Sequence, residues 1–237
     1  MRSRNSKRAE VEELFGTGRE RAVERMFDRA ARRYDLLNRL LTFGLDRRWR
    51  RRTVRLLDRP PAALVVDLAC GTGDFCGELE RAGHSAVGLD FSAGMLRHAN
   101  TSAPLVRADV LHLPLGDGAV DGAVCGFALR NLADLETFFA EVARVTRPGG
   151  RVALLEVAEP TCRVLRWGHR LYFGRVVPLI GGLLSDRAAY RYLPASVKLL
   201  PAPERLAGLL ETAGFGVLEH HRFSAGIAQV FSATRKA

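Results

Sequence analysis

Residues 65–74 read Val65-Val66-Asp67-Leu68-Ala69-Cys70-Gly71-Thr72-Gly73-Asp74. The apolar run predicts a buried strand over Leu64–Leu68, and Asp74 opens a helix reaching about Ala82. Between them Gly71 and Gly73 permit a tight turn and leave no Cβ to keep a ligand away from backbone N–H groups at a helix start. Such a loop receives an anionic group, either a pyrophosphate or the carboxylate of an amino-acid-like ligand. A dinucleotide fingerprint beginning at Gly71 requires a third glycine at position 76, where this chain has Cys76. Asp67, just before the loop, suits an ammonium group, directly or through water.

Downstream, strand-like runs alternate with helix-like ones. Strands are expected at Ser85–Leu89, Pro104–Ala108, Ala119–Phe127 and Arg151–Val157. Ser92 caps a helix running to about Asn100, and a helix around Leu135, Phe138, Phe139 and Val142 stops at Pro148-Gly149-Gly150. A last helix over Pro203–Ala213 precedes strands Val217–Phe223 and Ile227–Thr234. This rhythm predicts an α/β fold with a doubly wound, mostly parallel seven-stranded Rossmann-like sheet whose ligands sit at the carboxyl ends of the strands. Asp90 closes the second strand 17 residues after Gly73, where a carboxylate accepts both ribose hydroxyls of a nucleoside. Asp109 follows the third strand and is placed to accept from an adenine amino group, with Val110 against the ring; Gly126 ends the fourth strand beside the same crevice. Taken with Asp67 and the loop glycines, these positions favour S-adenosylmethionine over a nicotinamide cofactor. The six histidines and four cysteines show no metal-ligand spacing.

Residues 1–18 read as a flexible basic tail and residues 19–61 as an N-terminal helical extension, with Phe27, Ala30 and Tyr34 lining one helical face. The α/β core spans 62–237, and within it residues 159–200 break the alternation and read as a lid insertion over the site. The chain of 237 residues, 47% hydrophobic and 26% charged, is ordinary for one α/β domain. Its net charge of +10 is uneven, since residues 1–60 hold 18 Arg or Lys against 9 Asp or Glu. A basic end of that kind meets an anionic surface or forms a solvated helical face. No aromatic platform is interleaved with it, so nucleic acid is not the expected partner. The polar N-terminus lacks a secretory signal, and the run Val176–Leu184 is too short to span a bilayer. A cytoplasmic protein with peripheral contact on the inner face of an anionic membrane is expected, and a homodimer is among the assemblies the sequence allows.

The Asp67–Gly73 loop, Asp90, Asp109 and the Pro148-Gly149-Gly150 turn together resemble a class I methyltransferase core. Outside it, Phe27-Asp28-x-x-Ala31-x-x-Tyr34-Asp35-x-x-Asn38, Phe43-Gly44 with Trp49, Leu129-Arg130-Asn131, Tyr190-Arg191-Tyr192-Leu193 with Ser196, Ala213-Gly214-Phe215 and Ser224-Ala225-Gly226 resemble the UbiE and MenG quinone methyltransferases. The likeness covers nearly the whole chain after residue 20. It implies methyl transfer from S-adenosylmethionine to a ring carbon of a polyprenyl benzoquinol or naphthoquinol, in ubiquinone or menaquinone synthesis. By position it implies cofactor contacts at Thr72, Asp90, Asp109, Val110 and Gly126.

A ring carbon attacks a methyl group only when a neighbouring hydroxyl loses its proton. Arg130, at the mouth of the fourth strand, is expected to stabilise that anion, and Asn131 to orient the hydroxyl or a water. Tyr34, His169, Tyr190 and Tyr192 are expected to border the ring and tail. The alternative reading is a methyltransferase of secondary metabolism acting on a soluble aromatic intermediate.

Overall fold

The computed structural model describes residues 19–160, 162–172, 175, 192 and 195–237. In chain order the elements are helices α1 (Arg19–Thr42) and α2 (Leu45–Leu56), strand β1 (Leu64–Leu68), helix α3 (Asp74–Arg81), strand β2 (Ser85–Asp90), the short helix α4 (Ala93–Arg97), strands β3 (Leu105–Arg107) and β4 (Val120–Gly126), helix α5 (Leu135–Val145), strand β5 (Thr146–Val157), helices α6 (Arg163–Leu171) and α7 (Pro203–Thr212), and strands β6 (Phe215–Phe223) and β7 (Ala228–Arg235). The strands form one seven-stranded sheet in the order β3-β2-β1-β4-β5-β7-β6. The first five are parallel, whereas β7 runs antiparallel to both β5 and β6. A connection as short as Ser224–Gly226 can only reverse the chain, which sets the sense of the last pair. The winding direction changes between β1 and β4, so their carboxyl ends open a crevice.

Alternation along each strand loads both faces of the sheet. Val66, Ala123, Val152 and Phe231 pack with Phe138, Phe139 and Val142 of α5 and Leu206 and Leu210 of α7. Their neighbours Val65, Val124, Ala153 and Val230 pack with Trp49 and Val54 of α2 and Phe75 and Leu79 of α3. Each fully buried Val, Leu or Phe among them contributes about 1.5–3 kcal/mol, so these two layers hold the strand ends in place. Helix α2 is also tied to the opposite edge by the Trp49 indole N–H, which donates to the Ser224 hydroxyl at 2.8 Å.

Residues 19–42 form one continuous helix, with no Gly or Pro to interrupt them. Two boundaries differ from the sequence expectation. Helix α4 stops at Arg97 instead of Asn100, whose N–H turns to the Thr72 carbonyl at 3.0 Å. Pro148-Gly149-Gly150 lies inside β5: Thr146 pairs with Val120 and pairing resumes at Arg151 with Gly122, so the segment is a bulge, where a strand tolerates proline.

Candidate active site

The crevice at the ends of β1 and β4 is a cavity bordered by Gly71, Asp90, Met95, Asp109, Val110, Gly126 and Asn131. Val23, Glu24 and Phe27 of α1 supply a further wall. Most of the positions proposed for a cofactor are therefore brought together, by four separate strand ends.

Asp90 organises the glycine loop. Its Oδ2 accepts the Gly71 N–H at 2.7 Å and its Oδ1 accepts the Ser92 N–H at 2.8 Å. An ionised carboxylate offers about four acceptor directions, so each oxygen keeps one for a ribose hydroxyl. Burial pushes the Asp90 pKa up, the two backbone donors oppose that, and the carboxylates of Asp28 and Glu24 add to the rise. Half-buried Asp109 accepts the Leu111 N–H at 2.9 Å, and Val110 beside it is buried. At Gly126 a Cβ would lie 2.6 Å from the Phe75 ring, so the end of β4 requires glycine.

Asp67, Thr72 and Gly73 do not border the cavity. The Asp67 carboxylate is buried in the core, where the Cys76 thiol donates to it at 3.5 Å, and burial raises its pKa to about 8. Thr72 turns away and donates its hydroxyl proton to Asp35 of α1. Gly73 caps α3 with φ of +83°.

Arg130 and Asn131 sit in a 3-10 turn, Leu129–Asn131, directly after β4. Only Asn131 borders the cavity. The Arg130 guanidinium is buried and pairs with the buried carboxylate of Glu156, while its Nε donates to the Ser196 hydroxyl at 3.2 Å. Tyr192 is buried as well, its hydroxyl donating to Asn131 Oδ1 at 3.0 Å. The side chains of Tyr34 and His169, and all of Tyr190, lie outside the described residues.

Sequence reasoning assigned no role to Asp28, Asp35 or Glu156. Asp28 Oδ1 accepts from the Ser92 hydroxyl at 2.5 Å and from the Gly94 N–H at 2.8 Å, and Asp35 accepts from Thr72, so α1 is fastened to both loops that frame the cavity. The signal was present: positions 28 and 35 are seven apart, two helical turns, and share a face with Phe27 close by.

The family model for the ubiE/COQ5 methyltransferase family matches residues 16–235. The chain belongs to that family. Over 215 residues it is 45% identical to a demethylmenaquinone methyltransferase of Thermus thermophilus, covering 86% of this chain and 97% of the relative. Over 219 residues it is 42% identical to a ubiquinone/menaquinone biosynthesis C-methyltransferase of Syntrophotalea carbinolica, covering 89% and 92%. Among solved structures, a phosphoethanolamine N-methyltransferase of Haemonchus contortus in complex with S-adenosyl-L-methionine superposes with a TM-score of 0.56 at 12% identity, over 78% of this chain and 52% of that one, a likeness of fold.

As a ubiE/COQ5 family member this chain is an S-adenosylmethionine-dependent C-methyltransferase of quinone biosynthesis. Its cavity suits that cofactor chemically. Asp90 and Asp109 carry acceptor oxygens of the kind a nucleoside's donors need, Phe27, Phe91, Met95 and Val110 offer apolar surface of the kind a purine needs, and Gly71 leaves its backbone open to close approach.

Proposed function

We propose that the chain methylates a ring carbon of a polyprenyl quinol, with the ring admitted beside Asn131 and the tail left in the lipid of an anionic membrane. The observation that carries this reading is one cavity that joins a nucleoside-binding set, Gly71, Asp90 and Asp109, to a fixed amide at Asn131. S-adenosylmethionine supplies the electrophilic methyl group. Asp90 takes the ribose hydroxyls, Asp109 and Val110 take the adenine, and Gly71 and Gly126 leave room for the amino-acid part and the methyl group. Asn131 donates an N–H to the ring oxygen that loses its proton, a charge-assisted bond worth about 1.5–3 kcal/mol. The anion would raise electron density on the adjacent carbon, which would take the methyl group as the methyl–sulfur bond breaks to leave S-adenosylhomocysteine; the proton on that carbon would then pass to water, and the ring oxygen would take one back to give the methylated quinol.

The remaining residues act at one remove. Arg130, its charge balanced by Glu156, shapes the turn that carries Asn131; Asp67, Thr72 and Gly73 hold the glycine loop. The alignment of carbon, methyl and sulfur supplies the larger part of the rate. Among the described residues no helix is long and apolar enough to cross a membrane, so access to a lipid-tailed acceptor is proposed to be peripheral. The basic N-terminal 60 residues, net +9, favour an anionic surface.

Mass spectrometry of the quinones of a gene-deleted strain tests the activity. A quinone lighter by one CH2 is expected, with restoration by the intact gene. An unchanged quinone profile transfers the activity to a soluble aromatic acceptor.

A further inference from the structure

The Asn131 amide is held at both ends. Its Nδ2 donates to the Phe127 carbonyl at 3.4 Å, and its Oδ1 accepts the Tyr192 hydroxyl proton at 3.0 Å. A carbonyl only accepts, which identifies the nitrogen end of the amide and leaves it a second N–H. One residue earlier, Arg130 Nε donates to the Ser196 hydroxyl at 3.2 Å, while its backbone N–H at 3.4 Å and its guanidinium both reach Glu156. Two consecutive residues of the turn after β4 are thus bonded to two residues, four apart, of the 159–200 segment.

Tyr192 was expected against the substrate, yet it is buried and its hydroxyl is committed to Asn131. Buried charge networks of the Arg130–Glu156 kind are often no more stabilising than an apolar core, and their best-attested value is in specifying one arrangement. An amide lacking the Tyr192 donor keeps only the 3.4 Å bond to the Phe127 carbonyl, and whenever it flips, Asn131 presents its carbonyl oxygen to an oxyanion, which repels it.

We infer that Tyr192 is a positioning residue for methyl transfer: its hydroxyl, with Ser196 bonded to Arg130 beside it, ties residues 192 and 196 to the turn after β4 and so sets the donor end of Asn131. Turnover is thereby coupled to these two contacts, and cofactor binding is not. The inference rests on the reading that Asn131 faces the acceptor.

Tyr192→Phe keeps the buried ring and removes only the hydroxyl. It should lower kcat about tenfold, the loss expected for one hydrogen bond, with S-adenosylmethionine affinity by calorimetry kept within about twofold. In an Asn131→Ala background the same substitution should cost nothing further, because its partner is gone. A residue that only supports the fold would give additive effects, and additivity overturns the inference, as does a parallel loss of cofactor affinity. The contacts are read separately by trypsin: the Tyr192→Phe, Ser196→Ala double variant should be cut several-fold faster at the exposed Lys198 than the unaltered protein. Unchanged cleavage overturns the inference whatever the acceptor. If the unaltered protein methylates no quinol, the activity reading falls alone and the cleavage comparison decides this one.

Discussion

The Asp28 carboxylate on α1 accepts the backbone N–H of Gly94 at 2.8 Å, fastening the N-terminal helix to the first turn of α4 at the edge of the cofactor cavity. The approach is so close that a Cβ on residue 94 would lie 2.5 Å from Asp28 Oδ1 and 2.8 Å from its Cα. Backbone on that side cannot yield without moving α1, which brings Val23, Glu24 and Phe27 to the cavity wall. Gly94→Ala should therefore weaken S-adenosylmethionine binding about tenfold or more, the scale of a lost bond to a charged group. Calorimetry on folded protein measures it, and an unaltered affinity would mean that α1 adds nothing to the cofactor site.

Asp90 is expected to matter twice, as acceptor for Gly71 and Ser92 and as acceptor for the ribose. Asp90→Ala should reduce cofactor affinity by about a hundredfold or more, since each lost acceptor leaves a donor without its charge-assisted partner. Asp90→Asn, which keeps one acceptor oxygen, should fall between. Equal binding by all three proteins would remove the ribose assignment.

Asp67 gives a pH signature. Burial raises its pKa from 3.8 to about 8, so between those values the folded chain holds a proton that the unfolded chain has released. Stability linked to this group is complete below pH 4 and declines as pH rises toward 8, because the native state binds more protons than the unfolded one. Asp67→Asn mimics the protonated form and lacks this decline. The melting temperature of the variant relative to the unaltered protein should climb from pH 5 to pH 9; parallel curves would show that Asp67 ionises normally.

What was legible in the sequence follows from how locally each feature is encoded. Strand and helix alternation, and the carboxylates at strand ends, depend on period and spacing along the chain, and Gly71, Asp90, Asp109, Val110 and Gly126 come together as that order requires. Arg130 and Asn131 look alike in sequence, both polar and both just past β4. They diverge because Glu156, on the neighbouring strand, captures the guanidinium, while only the amide borders the cavity. Nothing near Arg130 in the chain announces a partner 26 residues away. Asp28 and Asp35 were quoted for their resemblance to a family pattern, but their purpose depends on Gly94 and Thr72, which only the docked helix brings near.

The Arg130–Glu156 pair should behave as a unit. Arg130 is 4% exposed and Glu156 fully buried, so removing Arg130 leaves the Glu156 carboxylate without its cation in the core and costs about 3–5 kcal/mol, and removing Glu156 takes from the guanidinium its carboxylate at a similar order of cost. Replacing both, as Arg130→Met with Glu156→Leu, should be less damaging to stability than either single change, while kcat stays low because the turn carrying Asn131 has lost its anchor. Urea unfolding of the four proteins measures the coupling, and simple additivity would show that the two charges do not depend on each other.

Membrane contact can be read from the two tryptophans. Trp167 on α6 is 70% exposed, whereas Trp49 on α2 is 4% exposed and bonded to Ser224. Val164, Leu165 and Leu171 of α6 are exposed as well, as are Leu36, Leu40 and Phe43 near the end of α1. The two groups adjoin, since the Tyr172 hydroxyl donates to the Leu41 carbonyl at 3.1 Å and its ring lies 5.9 Å from that of Phe43. An apolar helix face flanked by Arg163 and Arg166 has the character of an interfacial helix, and each basic residue near an anionic surface contributes about 1 kcal/mol. Trp167 emission should shift to the blue with anionic vesicles at low salt and return when salt screens the attraction. Neutral vesicles should leave it unmoved, and a Trp167→Phe protein, reporting only through Trp49, should show no shift with either lipid. Identical spectra for the unaltered protein with anionic and neutral vesicles would remove the anionic membrane from the account and leave α6 to face another partner.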